Sequence, residues 1–185
     1  DVCSSDLISA GTGTVRLNAG GDVTQTAAIT ASSLGVRSTG SVTLTNSGNN
    51  VGTLSGVSTG AFKYNDTNAA NVGAVTADGT QYLATTGLST TNSDATVSTG
   101  GALGVNGAIG AGTGTVRLNA GGDVTQTAAI TASALGVRST GAVTLTNSGN
   151  DVGTLSGVST GAFKYNDTNA ANVGAVTADG TQYLA

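Results

Sequence analysis

Apolar residues recur along the chain at intervals of about 20 positions and form three ladders. The first ladder contains Val23, Val42, Phe62, Tyr82, Leu103 and Val124. The second lies two residues later and contains Gln25, Leu44, Tyr64, Ala84, Val105 and Gln126. The third contains Val15, Leu34, Leu54, Val75, Val97 and Val116. One residue separates the first two ladders, so the pattern predicts short β-strands whose ladder residues face inward, Phe62, Tyr64 and Tyr82 among them.

Segments rich in Gly, Asn and Ser separate the predicted strands, at residues 18–22, 38–40, 46–50, 58–60 and 65–68. Glycine and asparagine tolerate the left-handed backbone that tight corners need. We therefore expect stacked coils at 13–31, 32–54, 55–74, 75–90 and 91–110. The predicted fold class is all-β, a right-handed parallel β-helix (β-solenoid) with coils of about 20 residues. A chain of β-sandwich domains, each of about 100 residues, is the alternative architecture.

A longer repeat contains these ladders, because residues 8–84 recur as residues 109–185. Only four positions differ between the copies: Ser9/Gly110, Ser33/Ala134, Ser41/Ala142 and Asn50/Asp151. Packed interiors resist changes of volume, so we expect these positions on turns or outer faces. We also expect the two copies to superpose nearly atom for atom, with equivalent ladder residues such as Val42 and Phe62 stacked. The chain divides into a first unit of about five coils at 8–110 and a second, truncated unit at 111–185, joined as one continuous solenoid.

Residues 1–7 have no counterpart in the second copy. Their sequence, Asp-Val-Cys-Ser-Ser-Asp-Leu, matches the translation of a sequencing adapter. We therefore expect residues 1–7 to be an artefact that packs against nothing. The heptad includes Cys3, the only cysteine of the chain.

The chain has neither His nor Glu, all ten acidic residues are Asp, and the net charge is −4. General acid–base catalysis uses His or paired carboxylates of tuned pKa, so we predict no catalytic residue. A catalytic alternative would use Asp22 with Arg16 and Asp66 with Lys63. An enzyme should bring two or more carboxylates together on one outer face. The acidic balance argues against nucleic acid as a partner, because phosphate binding needs clustered Lys and Arg.

The sequence predicts no metal site and no cofactor, since residues 20–22, Gly-Gly-Asp, match only part of a calcium-binding repeat. Asn65 and Asn166 begin Asn-x-Thr tripeptides and are candidate glycosylation sites. Three basic side chains recur in both copies and would suit anionic glycans, although solubility alone explains them. They are Arg16/Arg117, Arg37/Arg138 and Lys63/Lys164.

Residues 13–25, 29–31 and 150–155 resemble the repeat region of filamentous-haemagglutinin-like exoproteins, which are bacterial surface adhesins exported by two-partner secretion. The resemblance covers residues 8–185. It implies a right-handed parallel β-helix that acts as a stalk and adhesive surface, without enzymatic activity. It also implies a location outside the cell or on the bacterial surface, with host or environmental surface glycans or proteins as partners. An outer-membrane transporter would export the chain by recognising an N-terminal secretion domain that lies outside this sequence.

Three other interpretations stay open at this point. Autotransporter passengers carry similar repeats, so the export route is not fixed by the pattern. A carbohydrate-active β-helix enzyme belongs to a different functional class. An S-layer-like or biofilm matrix protein would have the same architecture without a specific receptor.

Overall fold

The structure is a computed structural model that describes residues 7–180, 182 and 183. These residues form strands and connecting turns, and none of them belongs to a helix able to cross a membrane. The twenty strands are β1 Ile8–Ser9, β2 Thr14–Ala19, β3 Val23–Thr24, β4 Ile29–Ser38, β5 Val42–Leu44, β6 Asn50–Ser58, β7 Phe62–Asp66, β8 Ala70–Val72, β9 Ala74–Val75, β10 Thr85–Thr86, β11 Leu88–Thr90, β12 Ala95–Thr99, β13 Leu103–Val105, β14 Ile109–Ala120, β15 Val124–Gln126, β16 Ile130–Ser139, β17 Val143–Leu145, β18 Asp151–Ser159, β19 Phe163–Tyr165 and β20 Asn172–Val173.

Eighteen of these strands pair in parallel and stack in three rows along one axis. Row one contains β1, β4, β6, β8, β13, β15, β17 and β19. Row two contains β2, β4, β6, β11, β14, β16 and β18. Row three contains β3, β5, β7, β12, β14, β16, β18 and β20. The described chain is therefore a parallel β-solenoid of about eight turns, as the ladders predicted. Its right-handed sense stays a prediction.

Apolar side chains stack on their equivalents in the next turn and fill the interior. Consecutive partners include Val23–Val42–Phe62, Leu44–Tyr64 and Val15–Leu34–Leu54. Phe62 and Tyr64 are fully buried in the axial core, so their predicted inward orientation is confirmed. The four positions that differ between the copies are exposed or half-buried, which confirms their expected place outside the packed interior.

The fourth rung of the predicted ladders is wrong. Val75 lies in a two-stranded antiparallel pair formed by β9 and β10, where its partner is Thr85. Tyr82 and Ala84 lie in the loop between these two strands, and Ala84 is exposed. Val97 stacks on Tyr64 and Leu118 instead of on Val116. The predicted coil at 75–90 is therefore mostly an inserted hairpin, which leaves the solenoid and returns to it.

The hairpin has a geometric consequence for the second copy. It occupies 13 residues, at 74–86. The remaining 88 residues of each 101-residue unit make four complete turns and about one third of another, so the next unit begins one row further round the solenoid. Val15 consequently stacks in row two, whereas its equivalent Val116 stacks in row three above Ala95 and Phe62. The stacking of Val42 on Phe62 is confirmed, but equivalent residues of the two copies lie in different rows, because a unit does not contain a whole number of turns.

One buried asparagine fixes a corner in each unit, between rows three and one at Asn49 and between rows one and two at Asn150. Asn49 has no exposed surface, and its Oδ1 accepts hydrogen bonds from the Ile29 N–H, at 2.8 Å, and from Gln25 Nε2. Its Nδ2 donates to the carbonyl oxygens of Leu44 and Asn65, at 3.2 and 3.0 Å. Asn150 makes the equivalent bonds in the second unit. One side chain thus joins three successive turns.

Replacing Asn49 by Asp should destabilise the solenoid strongly, whereas the neighbouring Asn50→Asp should be nearly neutral. Aspartate removes two donors and turns a carboxylate toward two carbonyl oxygens, at a cost of about 1–3 kcal/mol for each unsatisfied group. Asn50 is exposed, and the second copy already carries Asp151 there. Urea unfolding followed by circular dichroism should show a lower midpoint for the first variant alone. Equal midpoints would contradict the structural role of Asn49.

Candidate functional site

Each unit carries a short segment that folds back over the outside of the solenoid. The first flap is residues 74–86, and the second flap is its sequence equivalent beginning at residue 175, described at residues 175–180, 182 and 183. An Asp-Gly turn forms the tip of the first flap. Asp78 Oδ1 accepts the N–H groups of Gln81, at 3.1 Å, and Tyr82, at 2.8 Å. Gly79 between them has a φ of +112°, a conformation that other residues rarely adopt.

The first flap lies on the outer face of row two. Arg16 Nε donates to the Thr76 carbonyl oxygen at 2.8 Å, and Asn18 Nδ2 donates to the Gln81 carbonyl oxygen at 2.8 Å. The Tyr82 ring covers Gly35 so closely that a Cβ at Gly35 would lie 2.2 Å from the Tyr82 hydroxyl. Tyr82 is therefore buried, but outside the axial core and not inside it as predicted.

The second flap repeats these contacts on the outer face of row three. Arg117 Nε donates to the Thr177 carbonyl oxygen at 2.7 Å, and Asn119 Nδ2 donates to the Gln182 carbonyl oxygen at 2.9 Å. Tyr183 covers Gly136 as Tyr82 covers Gly35. The change of row follows from the partial turn in each unit.

A group of four charged side chains, the charged cluster, lies under the second flap: Lys63, Asp94, Arg117 and Asp179. Arg117 Nη1 lies 2.6 Å from Asp94 Oδ2, and Lys63 Nζ lies 3.9 Å from Asp179 Oδ2. Arg117 and Asp179 are almost fully buried at their side chains, at 4% and 2% exposure. This cluster is the place where the described residues bring two carboxylates to one outer face with two cations.

Both carboxyls of the charged cluster are held in the ionised form. Burial tends to raise the pKa of Asp94, but hydrogen bonds from Arg117 and the Thr115 N–H hold that pKa below its usual value. Burial likewise opposes ionisation of Asp179. The N–H groups of Tyr183 and Gln182, the Thr96 hydroxyl and the charge of Lys63 nevertheless lower the pKa of Asp179. Neither carboxyl is therefore suited to donate a proton near neutral pH.

The two pairs proposed from the sequence are not formed. Asp22 Oδ1 accepts the Ser41 N–H at 2.7 Å, while Arg16 turns to the first flap. Asp66 is buried and accepts the Val51 N–H at 2.8 Å and the Tyr64 hydroxyl at 2.6 Å, while Lys63 turns to Asp179. Burial and the bond to Asp66 raise the pKa of Tyr64 far above its usual value.

Asp78 and Asp179 each cap a turn through Oδ1, but the sequence analysis did not predict the charged cluster. Lys63 and Asp179 are 116 residues apart and belong to different copies. The available signal was the segment Ala-Asp-Gly-Thr-Gln-Tyr, whose Asp-Gly turn interrupts the spacing of the ladders. A strong turn at the position of a ladder rung indicates an insertion instead of a coil.

The candidate glycosylation sites differ in accessibility. Asn65 is half-buried, pairs with Ser98 of the next turn and lies beside Thr45 and Gln182. Asn166 is exposed. Modification at either position stays a prediction, and the exposed site is the better acceptor. Among the described residues, no three His, Cys, Asp or Glu side chains group closely enough to hold a metal ion.

The fold and the outer faces define a β-solenoid repeat protein. The family model described as "Repeats of unknown function (DUF5649)" matches residues 5–58 and 92–159, more than half of the chain. The chain therefore belongs to this repeat family. The first flap lies between the two matched segments. No curated protein and no solved structure matches the chain.

Replacing Gly35 by Ala should detach the first flap and leave the solenoid intact. The new Cβ would lie 2.2 Å from the Tyr82 hydroxyl and 2.8 Å from Val75 Cγ1, so the ring has to leave its site. The loss of a buried aromatic side chain costs about 2 kcal/mol of local stability. Amide hydrogen exchange should accelerate at residues 76–82 without a change in the circular dichroism spectrum. Gly20→Ala is the control, because a Cβ at Gly20 would meet no other atom within 4 Å.

Acid should loosen the second flap. Because the pKa values of Asp94 and Asp179 are lowered in the folded state, their ionisation stabilises it above the ordinary pKa of about 4. This contribution is lost as the pH falls through the lowered values. The protection of residues 175–180 against hydrogen exchange, relative to the intrinsic exchange rate at each pH, should therefore fall as the pH is lowered below about 4. The double variant Asp94→Asn, Asp179→Asn should lose most of this pH dependence, and an unchanged profile would contradict the assignment.

Proposed function

We propose that the chain is a non-catalytic stalk and adhesive segment of a large secreted bacterial surface adhesin. The observation that supports this proposal best is the uninterrupted parallel pairing of strands through about eight turns. Such an array extends along one axis, as a stalk requires, and displays three long outer faces. The outward positions carry mostly Thr, Ser and Asn with few charges, a surface suited to many weak polar contacts with sugars or proteins.

The arrangement of the acidic side chains supports a structural interpretation over a carbohydrate-active enzyme. The carboxylates of Asp22, Asp66 and Asp78 accept backbone N–H groups. Asp94 and Asp179 lie on one outer face, as an enzyme would require, but each has a cation as its partner and a lowered pKa. Ionised carboxylates with these partners stabilise the flap and are poor general acids.

Export by two-partner secretion is the route that the sequence resemblance suggests. The parallel ladder is compatible with it, because each turn pairs with the turn before it and folding can propagate as the chain emerges. The chain has a single cysteine, so its folding needs no disulfide within the chain. An outer-membrane transporter would recognise a secretion domain outside this sequence.

Adhesion can be tested with beads that carry the purified chain. The beads should be retained on surfaces coated with a sulfated polysaccharide, a neutral polysaccharide or extracellular matrix proteins, and retention on at least one surface is expected. Retention only on the sulfated surface, weakened by Lys164→Ser at the exposed lysine, would assign the contact to basic side chains. No retention on any surface would favour the S-layer-like or matrix interpretation. Release of sugar from either polysaccharide would contradict the non-catalytic proposal.

The stalk function predicts stepwise unfolding under force. When the chain is pulled from its two ends, each turn of about 20 residues should release roughly 7 nm of contour length. Single-molecule force spectroscopy measures these steps. Phe62→Ala removes a fully buried ring, at a cost of about 3–5 kcal/mol, and should lower the force of the earliest step. A single extension of the whole chain would contradict the expectation that turns unfold in succession.

A further inference from the structure

We propose that each flap, together with the strand residues under it, is a docking element that attaches its repeat unit to the preceding turns; we call this element the clasp. The clasp is closed at the second flap, which covers preceding turns, and open at the first flap, where the described residues include no preceding turns. The partner that fits the open clasp is a repeat unit of the same kind, with a lysine at the position of Lys63 and an aspartate at the position of Asp94. This inference concerns contact between units and does not depend on adhesion.

The second flap extends beyond its own unit. Its root lies near β18, and it passes over Gly136 of β16 and Arg117 of β14. It then covers β12 and reaches Lys63 of β7, which belongs to the first unit. Since β7, β12 and β14 are successive strands of row three, Lys63 lies two turns before Arg117, about 9–10 Å along the axis. The flap therefore joins strands of both units.

Burial of β12 shows how closely the second flap covers these turns. All five residues of β12 are buried, although alternate side chains of a strand point to opposite faces. Ala95 and Val97 fill the core, whereas Thr96 is covered from outside, beside Asp179. Asn119 also donates to the Ser98 hydroxyl at 3.3 Å.

Arg16 and Asp78 are the equivalents of Arg117 and Asp179, and they have no such neighbours among the residues that the structure describes. Arg16 is half-buried and Arg117 is 3% exposed, while Asp78 is exposed and Asp179 is half-buried as a whole residue. The Asp-Gly turn is the same in both flaps, with Oδ1 accepting two N–H groups. The difference therefore comes from what the flap covers and not from its own conformation.

The open clasp is a polar recess of about 510 Å³ between the first flap and row two. Its lining residues are Arg16, Asn18, Asp78, Thr80, Gln81 and Tyr82. By comparison with the second flap, Asp78 would receive a lysine and Arg16 an aspartate. Asn18 would donate to a serine hydroxyl. A preceding pair of turns with the sequence of β7 and of residues 94–99 supplies all three groups at the required positions.

The closed clasp can be tested in the present chain by a double-mutant cycle on Lys63→Gln and Asp179→Asn. Asparagine keeps Oδ1 as the acceptor of the turn, so the change removes the charge alone. The two substitutions should be coupled by roughly a two- to five-fold change in the folding equilibrium constant, measured by urea unfolding. The sequence-identical control, Lys164→Gln with Asp78→Asn, should show no coupling. Absence of coupling in the first cycle, or equal coupling in both, would overturn the proposal.

The open clasp can be tested by placing a further unit before the first. Residues 1–7 are replaced by a copy of residues 8–108, so that a lysine equivalent to Lys63 precedes Asp78 by 116 positions. Hydrogen exchange at residues 76–81 should then slow to the rate of the second flap, and Asp78→Asn should become destabilising to the same degree as Asp179→Asn. In the original chain, residues 76–81 should exchange faster than the second flap. If the first flap exchanges equally fast with and without the added unit, the clasp is not a docking surface for a repeat unit.

Discussion

Parallel pairing between successive turns is the constraint on which the rest of this structure depends. A single turn of about 20 residues cannot enclose an apolar interior, so each turn is stable only when its strands pair with the turn before and the turn after. The same pairing stacks Val42 on Phe62 and Leu34 on Leu54. Corners have to be built from groups that satisfy the backbone without interrupting the rows. Asn49 and Asp66 do this with side-chain oxygens that accept N–H groups of neighbouring turns.

The flap changes the relation between sequence repeat and structural repeat. Because it removes 13 residues from the solenoid, one unit contains four turns and a third, and the next flap falls on the adjacent face. The flap also protects an outer face that small residues would otherwise leave open. Gly35 and Gly136 accommodate a tyrosine ring there, where any Cβ would collide with the ring. These glycines are required by close approach and not by backbone conformation.

Most of the architecture was predictable from the sequence, because period-two alternation and a spacing of about 20 residues are local signals of stacked strands. Val42, Phe62 and Tyr64 lie where the ladders placed them. Tyr82 satisfied the same spacing by coincidence, and an aromatic residue in register could not be distinguished from a core residue by periodicity alone. The charged cluster was not predictable, because Lys63 and Asp179 come together only when the second unit begins one row further round the solenoid than the first. That shift depends on how many residues of a unit lie outside the solenoid, and the spacing of apolar residues does not give this number.

Comparison of the two copies distinguishes the contacts that fold each unit from the contacts that join one unit to the next. At the positions shared by both copies, a bond within a unit appears twice, as the bonds of Asn49 and Asn150 do. A bond between units appears once, as the Lys63–Asp179 pair does. Backbone N–H groups of its own turn, that of Tyr82 above all, hold the pKa of Asp78 below its usual value and so favour its charged form. In the second unit the equivalent carboxylate of Asp179 also meets a lysine of the neighbouring unit. The sequence of each unit thus carries charged side chains whose partners lie in the neighbouring unit, as Lys63 and Asp179 do.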